Sequence, residues 1–314
     1  MLAPARRIVS LLPSATEIVC ALGLADRLVG ISHSCDYPPS VTDRPRLTRP
    51  RRNLDGLSSG EIDAAVRAAL HEDGSVYEID LDGIRALAPD LVLTQGICDV
   101  CAVPESQVLN SLVPTLKSGP SESLRLKRSA VMGPLFRVGT QVLRLDAHDL
   151  SAICTSIRDV GCATGAVAQA EDCVANMQRR IEAVRARTAG RPRPRVLALE
   201  WLDPPYVPGH WVPEMIDIAG GELVAGITRR PSYRMEWSQL RELEPEIVLI
   251  MPCGFNLDET RREAERHRSE LQAIGGRVHV LDASAYFSRS GPRVVDGLEI
   301  LASTFAALRR PSPP

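Results

Sequence analysis

The sequence predicts an α/β protein of two Rossmann-like lobes joined by a single long backbone helix, with a ligand cleft between the lobes. Three observations carry that expectation. Short aliphatic runs alternate with helical patterns, stop, and begin again after Arg191, as parallel sheets covered by helices require. The two halves share a repeat: "RALAPDLVLTQG" from Arg85 and "RELEPEIVLIMPCG" from Arg241 both read Arg-x-Leu-x-Pro-acid-aliphatic-Val-Leu. Between the halves, Val167, Ala170, Val174, Met177, Ile181 and Val184 fall three and four apart, the spacing of one helix stripe.

In order along the chain, "RIVSLL" is a buried first strand and "PSATEIVCALG" the helix after it. In that helix Ser14 and Glu17 have the S-x-x-E spacing of a capping box, and amides at the helix start are also suited to a ligand oxygen. "LVGIS" and "VYEI" are strands, "LDGIRALA" a helix, "DLVLTQ" a strand, "PESQVLNSL" a helix and "QVLRL" a strand. The stretch Lys117 to Gly139 has no sustained period, is locally basic and holds two prolines; it reads as a long surface loop or a partner-docking insertion. "HDLSAICTSIRDVG" ends at Gly161 before a "GCATG" turn, and the stripe helix follows. "RVLALE", "EIVLIM" and "RVHVLD" are the strands of the second half. The expected division is an N-terminal lobe at 1–147, a connecting helix at 148–190, a C-terminal lobe at 191–310 and a frayed tail at 311–314.

A chain of 314 residues with 44% hydrophobic content can bury a core in each lobe. Its net charge of −2 supplies no basic field for nucleic acid or a membrane surface. Near the N-terminus two arginines precede an apolar stretch, a loose imitation of a secretion signal, but Pro13, Ser14, Thr16 and Glu17 interrupt it. Cleavage there removes part of the first strand and helix, so the expectation is a cytoplasmic protein. The eight cysteines form no framework of a small secreted domain and fit a reducing compartment.

Ligands of parallel α/β sheets collect where strands end, and those positions carry the chemistry. Trp201, Tyr206, Trp211, Tyr233, Trp237, Phe255, Tyr286 and Phe287, all in the second half, are eight of the chain's twelve aromatic residues. Most fall in loops after strands, above all in "EWLDPPYVPGHW". Rigid loops rich in proline and aromatic rings fit a broad, largely apolar ligand with polar edges. Trp237, on a helical pattern, reads instead as packing. "CDVC", Cys98 to Cys101, stands after a strand and is open to redox, metal or ligand-facing readings. No dinucleotide, P-loop, nucleophile-elbow or metalloprotease motif is present, so the chain reads as a binding protein and not an enzyme.

The stretches "RIVSLLPSATEIVCALGLADRLVGISHSCDYPP", "LAPDLVLTQGICDVCAVPESQV", "LEWLDPPYVPGHWVPEMIDIAGG", "EIVLIMPCGFNL" and "AYFSRSGPRVVDGLEIL" resemble the cobalamin-binding branch of the helical-backbone substrate-binding proteins, the class III iron-siderophore and vitamin B12 group. The resemblance implies a corrinoid held between two lobes. It implies ligand contacts from Ser14, Ala15, Thr16, Gln95, Cys98 and Asp99 in the first lobe. In the second it implies Trp201, Pro204, Tyr206, His210, Trp211, Cys253, Gly254, Phe255, Tyr286, Phe287, Ser288 and Arg289. Cobalt raises axial coordination by His210, His33 or Cys98 as a further question. The transport members dock on an ABC permease through one acid per lobe; the matching places here hold Asp82 and Ser238. With no signal peptide visible, the expectation is a cytoplasmic corrinoid binder for storage, delivery or sensing. Haem or ferric-siderophore binding on the same fold, and a thiol or metal role for Cys98 and Cys101, are the alternatives.

Overall fold

The computed structural model describes residues 3–96, 129–130 and 140–308. Its contacts divide the chain into two α/β units. The first comprises Met1–Asn53, Val66–Asp146 and Thr155–Cys173; the second comprises Leu54–Ala65, Ala147–Cys154 and Val174–Pro314. The assignment of 54–65 to the second unit has no counterpart in the sequence-based division at 147 and 190.

In the first unit run β1 (Ile8–Ser10), α1 (Pro13–Ala21), β2 (Leu28–Ile31) and β3 (Thr48–Pro50). Helix α2 (Ser59–Asp73) starts in the second unit and ends in the first. It is followed by β4 (Tyr77–Ile79), α3 (Leu81–Leu87), β5 (Leu91–Gln95), β6 (Ser129–Ala130) and β7 (Gln141–Leu145). The sheet order is β2-β1-β5-β7-β6, parallel except for the last pair. Its core joins Val9, Leu11, Leu47, Ile84, Val92 and Val142. "VYEI" departs from expectation: among the described residues β4 pairs only with β3, antiparallel, outside the main sheet. Its Glu78 carboxylate faces Arg49 and Arg51, and a strand carrying exposed ion pairs cannot lie in a sheet covered on both faces.

Helices α4 (Leu150–Thr164) and α5 (Val167–Thr188) follow. Gly161 lies inside α4 and not at a turn. A Cβ there would stand 2.5 Å from the Ala170 Cβ, so glycine permits the close approach of the two helices, and Gly165 at φ +73° makes the turn. Along α5, Ala170, Val174, Met177, Ile181 and Val184 are buried while Val167 is half exposed, so the stripe begins one turn later than its spacing implies.

The second unit continues with β8 (Arg195–Leu199), β9 (Trp201–Leu202), β10 (Pro205–Val207), α6 (Val212–Ile218), β11 (Glu222–Leu223) and β12 (Tyr233–Arg234). Then come α7 (Trp237–Arg241), β13 (Ile247–Ile250), α8 (Leu257–Arg266), α9 (Arg268–Ile274), β14 (Arg277–Val280), α10 (Ala283–Tyr286) and α11 (Val294–Leu308). Its parallel sheet has the order β11-β8-β13-β14, with a small antiparallel sheet β12-β10-β9 beside it.

The repeat is atomic. Ala88 and Glu244, each just before the shared proline, have φ of 43° and 45°, and the central strands β5 and β13 follow. The shared acid then accepts from the strand that leads each sheet: Arg7 N donates to Asp90 Oδ1 at 2.9 Å, and Arg195 N to Glu246 Oε1 at 3.0 Å. The same arginines' side chains donate to the carbonyls of Leu87 at 2.6 Å and Leu243 at 2.5 Å. Both units thus lock a helix end to the first strand with one arginine and one acid.

Candidate functional site

Strands β8, β13 and β14 of the second unit end side by side, and backbone bonds stitch their following loops together. Cys253 N donates to the Glu200 carbonyl at 2.9 Å, and Ser284 N to the Phe255 carbonyl at 2.9 Å. Gly254 N donates to Ser288 Oγ at 3.2 Å, and the Trp211 indole to the Phe287 carbonyl at 2.9 Å. The second-unit residues singled out in the sequence therefore come from segments 200–211, 253–255 and 286–289, brought to one end of one sheet.

Trp201 and Phe255, both half-buried, meet edge to face with centroids 5.3 Å apart at 66°, a favoured aromatic arrangement. Tyr206 pairs in β10 with Trp201 on one side and Arg234 on the other. Pro204 is buried and follows a cis Asp203–Pro204 bond. Arg289 donates to Ser284 Oγ at 2.9 Å, and Arg293 lies 5.0 Å over the Tyr286 ring. Trp211 and Phe287 are only 7% and 3% exposed. Trp211, expected among the ligand contacts, is buried, with its indole donating to the Phe287 carbonyl. Trp237, stacked on His267 at 5.7 Å, packs as expected.

His210 has a φ of 52°. Burial, and then neighbouring His148, hold its imidazolium pKa below the ordinary value, which favours the neutral ring.

Two residues that sequence reasoning missed support the aromatic face. The Trp201 indole donates to the Ser59 carbonyl at 3.2 Å, and Ser59 in turn donates from its amide and hydroxyl to buried Glu263. Burial pushes the Glu263 carboxyl up, but bonds from His267, Ser59 and Arg266 outweigh it and bring the pKa to about 2. Ser59 and Glu263 lie 204 positions apart, so no local pattern signals them.

In the first unit, Ser14, Ala15, Thr16 and Gln95 are all buried. The capping box is not made: Leu12 is the N-cap, Pro13 opens the helix, and no side chain caps it. Proline at the first helical position moves Ser14 inside the first turn. The Thr16 hydroxyl donates to Ser10 Oγ at 2.9 Å and lies 3.0 Å from Cys35 Sγ. His33 Nδ1 lies 2.7 Å from Thr48 Oγ1. Cys98, Asp99, Cys101 and the helix expected at "PESQVLNSL" lie outside the described residues, as does Lys117 to Gly139 apart from β6. Asp82 forms a 2.6 Å ion pair with Arg85, and Ser238 is exposed on α7.

The second unit's aromatic and proline-rich loops at its strand ends are a surface suited to a bound solute. The periplasmic binding protein family model matches residues 8–268, and the chain belongs to that family. It is 25% identical to an uncharacterized ABC transporter substrate-binding lipoprotein of Bacillus subtilis, over 95% of this chain and 79% of the relative. It is 22% identical to a vitamin B12-binding protein of Vibrio cholerae, over 94% of this chain and 87% of that one. A crystal structure of a periplasmic vitamin B12 binding protein of Vibrio cholerae matches at a TM-score of 0.66 and 20% identity, covering 98% of this chain and 99% of the other. A periplasmic heme binding protein of Pseudomonas aeruginosa matches at 0.67 and 21%, covering 98% and 95%.

These relatives overturn the cytoplasmic expectation. A family of periplasmic binding proteins, with a lipoprotein and periplasmic proteins among the relatives, points to an extracytoplasmic location. The interrupted N-terminal stretch misled because β1 and α1 are parts of the fold, whatever precedes them.

Proposed function

We propose that this chain is a non-catalytic binding protein for a corrinoid of the cobalamin class, which it passes to an ABC permease. The observation that carries the reading is the Trp201–Phe255 edge pair, half-exposed among Tyr206, Cys253, Tyr286, Ser288 and Arg289. A corrin is a broad disc edged by amides: aromatic rings cover its apolar area while hydroxyl and guanidinium groups bond to the rim. Vitamin B12-binding relatives over most of the chain support the same ligand. Pro204, Gly254 and His210 serve as wall and rim, and Ser14, Ala15, Thr16, Gln95, Cys98 and Asp99 are the first-unit contacts of this reading. Asp82 is the one acid at the expected docking positions, and its pairing with Arg85 reduces the charge it offers.

Haem is the second reading, favoured by the haem-binding structural neighbours. Tryptophan fluorescence separates the two. Cyanocobalamin and cobinamide are expected to quench wild-type emission saturably, and Trp201→Ala to weaken binding at least tenfold, about 1.4 kcal/mol. No response to any corrinoid at tens of micromolar, with saturable haemin binding, gives the site to haem.

A further inference from the structure

Beside Trp211, two histidines meet, and their proposed role is tested without any corrinoid. His148, exposed between β7 and α4, and His210 have Nδ1 atoms 3.4 Å apart, with centroids separated by 5.5 Å and planes tilted by 33°. That separation is at the long end for a hydrogen bond between ring nitrogens, which forms only when one ring carries its proton on Nδ1. It is the separation two nitrogens take on one metal ion: bonds of about 2.0–2.1 Å at a tetrahedral angle place them about 3.3–3.4 Å apart. We propose that His148 and His210 form an open two-imidazole site for a borderline divalent cation such as Zn²⁺ or Ni²⁺.

The backbone around both rings is fixed before any ion arrives. His210 is held in the left-handed region by its amide donating to the Arg230 carbonyl at 2.8 Å, while Arg229 N donates to its carbonyl at 3.0 Å. The Arg229 guanidinium binds the Asp149 carboxylate at 2.5 Å, so one arginine ties the backbone of His210 to the residue after His148. Asp149 also accepts from Ala152 N at 2.7 Å, and Glu214 from Leu150 N at 3.0 Å, which anchors the start of α4. A histidine in a strained backbone region, held there by several bonds, is the kind of position where function collects. Coordination through Nδ1 leaves each Nε2 carrying its proton toward water or a hydrogen-bond acceptor. Among the described residues no group of three or more metal-ligating side chains exists. The two-imidazole site so described leaves coordination positions open to water or to a donor atom of a bound molecule, and imidazole pairs of this kind suit Zn²⁺ and Ni²⁺ over Mg²⁺ or Ca²⁺.

The test is a titration of chelator-treated full-length protein with ZnCl₂ or NiCl₂ by calorimetry, with no corrinoid present. One equivalent is expected to bind with a Kd on the order of 10 µM. His148→Gln and His210→Asn should each weaken binding at least tenfold. Asparagine tolerates the positive φ of position 210, and thermal melts of both variants, compared with wild type, check that they fold. X-ray absorption of the Ni²⁺-loaded wild type should show two imidazoles in the coordination shell. The proposal is overturned if no saturable binding occurs below about 1 mM, if both histidine variants retain wild-type affinity, or if the absorption spectrum shows sulfur ligands in place of imidazole.

Discussion

Trp201, in β9, and Trp211, at the N-cap of α6, belong to one proline-rich segment and do different work. Trp201 is half-exposed against Phe255, and Trp211 is buried with its indole on the Phe287 carbonyl. Trp211→Phe is therefore expected to cost about 1 kcal/mol, the net worth of a lost buried hydrogen bond, read as a shift in urea midpoint. Ligand affinity in that variant should fall far less than in Trp201→Ala; equal losses of affinity contradict the assignment. Glu263 is the other residue with a sharp consequence. Its folded pKa of about 2 lies below the unfolded value near about 4.3. Its stabilisation is thus complete above the unfolded value and lost as pH falls through about 2, at most about 3 kcal/mol. Glu263→Gln removes that stabilisation at pH 7, so its melting temperature should lie well below wild type there, with the gap closing between about pH 5 and pH 2. A gap that stays constant over this range contradicts the account.

At the scale of elements, the arginine and acid clamp of each unit is the structural meaning of the repeat. Asp90→Ala is expected to cost about 1–2 kcal/mol. Glu246→Ala should cost less, because Glu246 is exposed. Urea denaturation of both variants and of the double variant measures this. The sites lie in different units, so the two costs should add. The strands and helices built from aliphatic runs were legible because a buried parallel strand leaves a continuous apolar signature: Leu91, Val92 and Leu93 are all fully buried. "VYEI" was legible as a strand but not in its pairing, since Glu78 and its arginine partners come from distant sequence. The Ser14 and Glu17 spacing misled because the helix starts at Pro13, two residues earlier than a capping box on Ser14 needs. Gly161 misled for the opposite reason: a glycine that permits helix packing looks, in sequence, like one that makes a turn.

For the whole molecule, the family was legible in the aromatic and proline-rich segments, while the compartment was not. A chain's fold records which residues must pack, and both β1 and α1 are needed for that in any compartment. The aromatic loops were legible as a group, but their support from Ser59 and Glu263, and the meeting of His148 with His210, depend on tertiary contacts that no spacing encodes. A ligand that binds only the folded protein stabilises it by about 2.7 kcal/mol at a hundredfold excess over Kd, so the true ligand should raise the melting temperature in a concentration-dependent way. The most direct test of the central claim is equilibrium dialysis of the purified protein against cyanocobalamin and, separately, haemin, each followed by its own absorbance. The account predicts saturable retention of one cyanocobalamin per chain, lost in large part in Trp201→Ala. Retention of haemin alone, or cyanocobalamin binding unaffected by Trp201→Ala, contradicts it.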